Sequence, residues 1–176
     1  MSAQLVPSTS PRLLAVLSQY AGYHRSARNI RTHLFGVPMI VLAVAGLFGL
    51  VRFSVFGYEI SMMWVIIGLT SIYYLSLEIS LGALMAVLLI LCGFAVQPVL
   101  GLATWLAFGI FAAIFVMGWG LQFLGHSYEG RKPAFIDDLV GLLIGPLFVS
   151  AELLFALGLR ENLAAEIDRA AGAKRR

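Results

Sequence analysis

The sequence has little charge and a single cysteine. Charged residues make up 12% of the 176 residues and hydrophobic residues 60%, whereas an ordinary soluble domain carries about a quarter charged residues. The segment 79–125 contains no Asp, Glu, Lys, Arg or His. A soluble protein would need a charged outer shell, so this composition indicates a membrane protein. The lone Cys92 excludes a disulfide framework and a thiolate metal cluster.

The sequence also lacks the motifs of many soluble enzymes. It has no phosphate-binding loop, dinucleotide fingerprint, CxxC pair or nucleophile elbow. The net charge is only +3, and many of the basic residues lie in clusters beside apolar segments. Such clusters indicate cytoplasmic flanks that face anionic lipid, not a nucleic-acid partner. They comprise Arg12, Arg25, Arg28, Arg31, Arg131, Lys132, Lys174, Arg175 and Arg176.

The apolar segments predict an all-α integral membrane protein that forms a single domain over residues 1–176. Ser10 followed by Pro11 predicts the start of an amphipathic helix over 10–27, which would lie on the membrane or on a partner helix. Charge-free segments long enough to cross a bilayer follow it. These four predicted spans lie near 34–51, 60–77, 79–96 and 99–124.

The last apolar segment, 139–159, is predicted to be a re-entrant or interfacial helical hairpin. It contains a Gly-Pro pair and Glu152, both costly in a spanning helix that faces lipid. With the arginine-rich N-terminus inside, four spans satisfy the positive-inside rule. A fifth crossing would place the basic tail, 160–176, outside.

The chain has three histidines, His24, His33 and His126. The predicted topology brings all three to the cytoplasmic face, since the first two precede span one and the third follows span four. Neutral imidazole is the commonest ligand for iron, copper, nickel and zinc, and three imidazoles leave metal positions open for substrate and oxygen. Spacing and topology alone leave open the alternative of three unconnected interfacial histidines.

The spacing of His24 and His33 requires a bend in the chain. Nine residues at 3.6 per turn place the two side chains about 180° apart on one straight helix, so they cannot share an ion there. We therefore expect the helix to break between them, near 26–29, or the metal to lie between two separate helices.

Three polar residues could assist the histidines. Asn29 and His33 are four residues apart, as are Gln122 and His126, so each amide could hold the neighbouring imidazole. Glu129 could complete a ligand set of two histidines and one carboxylate. Its alternative role is that of a solvated acid paired with a nearby basic residue.

Two sequence blocks resemble a known family. The first, from Tyr23 to Pro38, reads YHxxxxNxxxHxxGxP, and the second, from Trp119 to Ala134, reads WxxQFxGHxxExRKPA. Together they are similar to the membrane family of Fe(II)-dependent 2-hydroxy fatty acid dioxygenases, which act in the breakdown of phytosphingosine to odd-chain fatty acids. The resemblance extends from the first predicted helix to about Glu152.

The resemblance implies an Fe(II)-dependent oxidoreductase that converts a 2-hydroxy fatty acid and O2 to a fatty acid one carbon shorter. His24, His33 and His126 match the metal-binding histidines of the family. Asn29, Gln122 and Glu129 match motif positions whose roles the resemblance does not assign.

A lipid substrate implies further contacts. Basic residues would attract the carboxylate to the interface, and the candidates are Arg131, Lys132, Arg28 and Arg31. The hydrocarbon tail would lie between spans, among side chains such as Phe35, Leu121 and Phe123. The expected location is the inner membrane of a bacterium, or the endoplasmic reticulum of a eukaryote, with the site on the cytoplasmic face. Assembly into an oligomer is possible.

Two other functions are alternatives. A membrane di-iron hydroxylase or desaturase-like enzyme also places histidines at a membrane face, but two irons generally need more ligands than three histidines and a couple of carboxylates. A non-catalytic membrane metal-binding or scaffold protein is the second alternative. One iron per chain would support the dioxygenase, two the di-iron enzyme and none a scaffold.

Overall fold

The computed structural model describes residues 10–130 and 140–172, and this part of the chain is mainly helical. Many large apolar side chains lie exposed on the outer faces of the helices, as expected where helices contact lipid. In chain order the elements are α1 (Pro11–Gly22), α2 (Ala27–Gly49), β1 (Arg52–Val55), β2 (Tyr58–Ser61), α3 (Met62–Leu77), α4 (Ile79–Ala95), α5 (Gln97–Leu100), α6 (Thr104–Glu129), α7 (Gly141–Ala156) and α8 (Glu161–Ala171).

The chain bends between His24 and His33, which confirms the prediction. Helix α1 ends at Gly22, and α2 begins at Ala27 after Ser26, whose backbone is extended (φ −77, ψ 128). The bend lies slightly before the expected region, so the first helix is shorter than the predicted 10–27. His24 therefore lies in the turn, while His33 lies in the second turn of α2.

Three helical segments are long and apolar enough to cross a membrane. They are α2, the combined segment Ile79–Leu100 and α6. Helix α3 has 16 residues and is about 24 Å long at ~1.5 Å per residue, somewhat less than a hydrocarbon core of about 30 Å. The count of four crossings therefore stays a prediction, with α3 as the short member.

A β-hairpin joins α2 to α3, so the expectation of an all-α fold is wrong at this point. Strands β1 and β2 pair antiparallel, with Arg52 opposite Ser61. The two loop residues, Phe56 and Gly57, both have positive φ, 52° and 84°, as a tight hairpin turn requires. Because β2 ends at Ser61, α3 begins later than the predicted span 60–77.

Both ends of α7 lie at the same end of the α3–α4 pair. In the first turn of α7 the Leu143 carbonyl accepts a hydrogen bond from the Tyr74 hydroxyl (2.6 Å), close to the end of α3. Beyond the other end, Arg160 pairs with Glu78 (3.2 Å), the residue between α3 and α4. The described part of the segment 139–159 forms one continuous helix that includes Pro146, so the expectation of a helical hairpin within it is wrong. Whether this helix is re-entrant or interfacial stays a prediction.

Helices α2 and α6 form the most extensive helix pair, and glycines allow their close approach. The N-terminal half of α2 meets the C-terminal half of α6, so the two run antiparallel. A Cβ atom on Gly36 would lie 2.9 Å from the Gly118 carbonyl oxygen, and one on Gly118 would lie 3.0 Å from that of Gly36. Small residues that bring backbones together are a common means of packing helices in membranes.

Gly125 on α6 offers a test of this packing. A Cβ atom there would overlap Thr32 and lie 2.6 Å from Asn29 Oδ1 and 3.0 Å from His33 Cε1. We expect Gly125→Ala to lower the free energy of unfolding by about 1–3 kcal/mol through overpacking.

Gly120→Ala on the same helix is the matched control, because nothing lies within 4 Å of its added Cβ. It should leave stability unchanged or raise it by up to about 1 kcal/mol, since Ala favours helix more than Gly. Unfolding in detergent, followed by circular dichroism, measures both variants. Equal stability of the two would contradict the close-packed interface.

Candidate metal centre

His24 is held by the end of α1. Its Nδ1–H donates to the Tyr20 carbonyl (2.8 Å), and its ring stacks on the Tyr20 ring with centroids 4.1 Å apart. Phe148 of α7 lies on the same side, 5.6 Å from the His24 ring. Because Nδ1 carries the proton, the lone pair is on Nε2, which is buried and has no hydrogen-bond partner among the described residues.

His33 is oriented in the same way by its own helix. Its Nδ1–H donates to the backbone carbonyl of Asn29, one turn earlier (3.0 Å), and not to the side-chain amide that the sequence suggested. Its Nε2 therefore also carries the lone pair. A backbone carbonyl on one ring nitrogen fixes the tautomer and leaves the other nitrogen as a ligand.

His126 approaches from the last turns of α6. Its ring centroid lies 5.0 Å from that of His24 and 5.1 Å from that of His33, while His24 and His33 are 4.6 Å apart. One ring nitrogen from each histidine lies within 4.8 Å of the others, and all three side chains are buried. The structure therefore brings together three residues that span more than half of the chain.

The protonation state of His24 suits a metal ligand. Burial is the main reason that the pKa of His24 is lowered to about 4. The hydrogen bond to Tyr20 and the charge of Glu129 raise this pKa, and nearby His126 lowers it. The imidazole is therefore neutral at neutral pH and keeps its lone pair.

Buried polar atoms without partners are costly. His126 Nδ1, like His24 Nε2, is buried and lacks a hydrogen-bond partner in the described residues. A metal ion would satisfy such nitrogens, and the donor set of three neutral imidazoles fits iron, copper, nickel or zinc.

Glu129 connects the two helices that carry the centre. Its Oε1 accepts hydrogen bonds from the Ser26 backbone N–H (2.5 Å) and from Asn29 Nδ2 (3.2 Å). The carboxylate thus ties the C-terminus of α6 to the first turn of α2, where the bend that bears His24 ends. In the described residues, the group close enough to share an ion consists of the three histidines without Glu129.

Gln122 lies in a small cavity beside the histidines. This cavity, of about 70 Å³, is lined by His33, His126 and Gln122 together with apolar residues of α2 and α7. The Gln122 Nε2 group is buried and has no hydrogen-bond partner within the described ranges. It is therefore a donor available to a polar group in the cavity.

The structure does not bring every predicted residue to the centre. Arg131 and Lys132 lie outside the described residues. Arg31 is exposed on α2, and Arg28 is also exposed, with its guanidinium 5.9 Å from the Tyr128 ring centroid. Phe35 and Phe123 point outward, with 70% and 57% of their surfaces exposed, and neither they nor Leu121 line the cavity.

Sequence reasoning missed the role of Arg25, which follows His24. Arg25 is 7% exposed and pairs through Nη2 with Asp168 of α8 (2.8 Å). The pair joins the bend to the amphipathic C-terminal helix, which packs on α1. In the sequence Arg25 is one basic residue of a basic cluster. Nothing near it indicates the ion pair, because Asp168 lies 143 positions away.

The fold and the site define a mainly helical protein that has three helical segments long and apolar enough to cross a membrane and a buried group of three histidines that could hold a metal ion. The chain belongs to the Mpo1-like family: the family model described as 2-hydroxy-palmitic acid dioxygenase Mpo1-like matches residues 12–157. It is 35% identical over 158 residues to the 2-hydroxy-palmitic acid dioxygenase MPO1 of Saccharomyces cerevisiae, which covers 89% of this chain and 87% of the yeast protein. This confirms the resemblance read from the two sequence blocks. No solved structure matches the chain significantly.

Proposed function

We propose that this protein is an Fe(II)-dependent dioxygenase that converts a 2-hydroxy fatty acid and O2 to a fatty acid one carbon shorter. The observation that carries the proposal is the buried trio His24, His33 and His126, found in a chain of this family. The name of the yeast relative supplies the substrate class. The proposed location is an integral membrane one with the centre at the cytoplasmic face, supported by the apolar helices and by the basic flanks.

The proposed reaction balances without a separate reductant. A 2-hydroxy acid and one O2 give the shortened acid, CO2 and water. The bond between the carboxyl carbon and the hydroxyl-bearing carbon breaks, and the substrate supplies all four electrons that O2 accepts. A hydroxylase or desaturase, by contrast, needs two electrons from an outside donor.

The residues of this chain would bind the metal ion, bind the substrate and attract it to the site. His24, His33 and His126 would hold the ion, and bound iron would supply redox chemistry together with positions for the substrate hydroxyl, the carboxylate and O2. Gln122 would donate from Nε2 to the substrate carboxylate in the small cavity. Arg31, Arg131 and Lys132 would attract that carboxylate to the membrane surface before it enters.

Metal analysis and product analysis test the proposal together. The detergent-purified protein, loaded with Fe(II) without oxygen, is expected to hold one iron per chain. On exposure to air with a 2-hydroxy fatty acid labelled with ¹³C in the carboxyl group, it should release labelled CO2 and form the shortened acid. No NADPH or reductase should be required.

Other results would point to the alternatives. Two irons per chain, or turnover that depends on an added electron donor, would favour a di-iron enzyme. Absence of metal and turnover would favour a scaffold. The described residues favour one ion, because their metal-binding group contains three histidines and no carboxylate.

A further inference from the structure

A second, larger cavity adjoins the small one at the histidines. It has a volume of about 300 Å³, within the range of about 300–1,000 Å³ typical of ligand pockets. The two cavities share lining residues from α2, α6 and α7, so they lie side by side in the helix bundle. The shared residues are Ile40, Val41, Trp119, Leu142 and Pro146.

One face of α2 runs along both cavities. The α2 residues that line them are spaced three and four apart, as on a single helix face: His33, Val37, Ile40, Val41, Val44, Ala45 and Phe48. From His33 to Phe48 this face is about 22 Å long at ~1.5 Å per residue. The small cavity lies at the histidine end of this face, and the larger one continues along it from Ile40 towards the hairpin end.

The lining of the larger cavity suits a hydrocarbon. None of the described residues that line it is charged. The Tyr74 hydroxyl is already engaged, since it donates to the Leu143 carbonyl. The other lining side chains with a polar atom are Thr70, Cys92 and Trp119, one on each of three helices. A polar or charged ligand would lose its hydration there without compensation.

We propose that this cavity holds the hydrocarbon chain of the substrate and that the α2 face sets the longest chain accepted. The inference rests on the proposed function, which places the carboxyl and hydroxyl end at the histidines. The tail then follows Val41 and Val44 towards Phe48 and Met63. This replaces the expectation that the tail lies among Phe35, Leu121 and Phe123.

A valine series tests the proposed path. Val41 lines both cavities, Val44 lines only the larger one, and Val87 on α4 lines neither and is 54% exposed. Val44→Phe should lower kcat/KM for the longest substrates by at least tenfold relative to short ones. Val41→Phe should move the cut-off a further three or so methylene groups shorter, because three residues rise about 4.5 Å.

Val87→Phe is the matched control and should keep the wild-type chain-length profile. Iron content and unfolding temperature of each variant show whether it is folded. Since enlarging a packed side chain can itself cost about 1–3 kcal/mol, a variant in the opposite direction is also needed.

Phe48→Ala should extend the range instead of shortening it. Phe48 lies at the far end of the α2 face, so its removal should raise relative kcat/KM several-fold for chains longer than the wild type prefers. Phe108→Ala, on α6 and 56% exposed, is the control and should change nothing. A misfolded variant cannot gain activity on longer chains.

The failure of this inference is distinguishable from failure of the proposed function. If the wild type shortens 2-hydroxy acids but Val44→Phe and Val87→Phe share one chain-length profile, the path is wrong and the proposed function stands. If the wild type shortens none, displacement of a fluorescent fatty acid by saturated fatty acids of graded length tests the path by binding. Equal displacement profiles for these two variants would again overturn it.

Discussion

Replacing His126 with alanine is expected to leave the purified protein without its metal ion and without turnover. The two remaining histidines would offer only two of the three ring nitrogens that lie within 4.8 Å of one another. Loss of a partner that merely orients a ligand costs roughly 10–100-fold in metal affinity, so loss of a ligand should cost at least the upper end of that range. Iron per chain and release of labelled CO2 measure the two effects.

Ser127→Ala, one residue further along α6, is the control for this variant. Ser127 is exposed and its hydroxyl donates to the Leu124 carbonyl within the same helix (2.6 Å). Iron content and activity should therefore stay at wild-type levels. Retention of both by His126→Ala would remove the three-histidine centre as the site of reaction.

Glu129→Ala should weaken metal binding by roughly 10–100-fold, as the loss of an outer partner does. The variant removes the acceptor of the Ser26 N–H and of the Asn29 amide, and Glu129 itself is buried. Each donor left unsatisfied costs about 1–3 kcal/mol. The bend that carries His24 would then be held less firmly, so we also expect a lower unfolding temperature.

Glu129→Gln separates a positioning role from ligation. A glutamine keeps one carbonyl oxygen able to accept from Ser26, so a positioning residue should regain most of the iron affinity and stability lost in the alanine variant. A carboxylate ligand would not be rescued, because a neutral amide oxygen binds iron far more weakly. The titration of Fe(II) into both variants therefore decides whether Glu129 ligates the metal or positions the bend.

Hydropathy was sufficient to predict that the three histidines share a membrane face, because hydropathy sets topology and topology sets which loops share a face. That they form one site was implied by the family resemblance, since spacing and topology left three unconnected histidines as an alternative. The need for a bend between His24 and His33 followed from helix periodicity alone. The bilayer limits which loops share a face, and the 3.6-residue repeat excludes a shared ion on one straight helix.

Features that depend on side-chain packing were beyond the sequence. The last two residues of β2, Ile60 and Ser61, were assigned to the second span because Ile60 continues the apolar run into α3. The pairing of Arg25 with Asp168 depends on how α8 packs against the bend, which no local pattern encodes. That Phe35 and Phe123 point outward likewise depends on how α2 and α6 pack against each other.

The break between α1 and α2 gives the proposed ion a second consequence. His24 belongs to the bend, whereas His33 and His126 belong to the closely packed pair α2 and α6. An ion held by all three would link α1 to the pair α2 and α6. Helix α8 is linked to the same bend through Arg25. Because the ion would bind only where α1 packs against α2 and α6, its binding would favour that packed arrangement by mass action. Iron supply would thus govern how firmly α1 and α8 pack against α2 and α6.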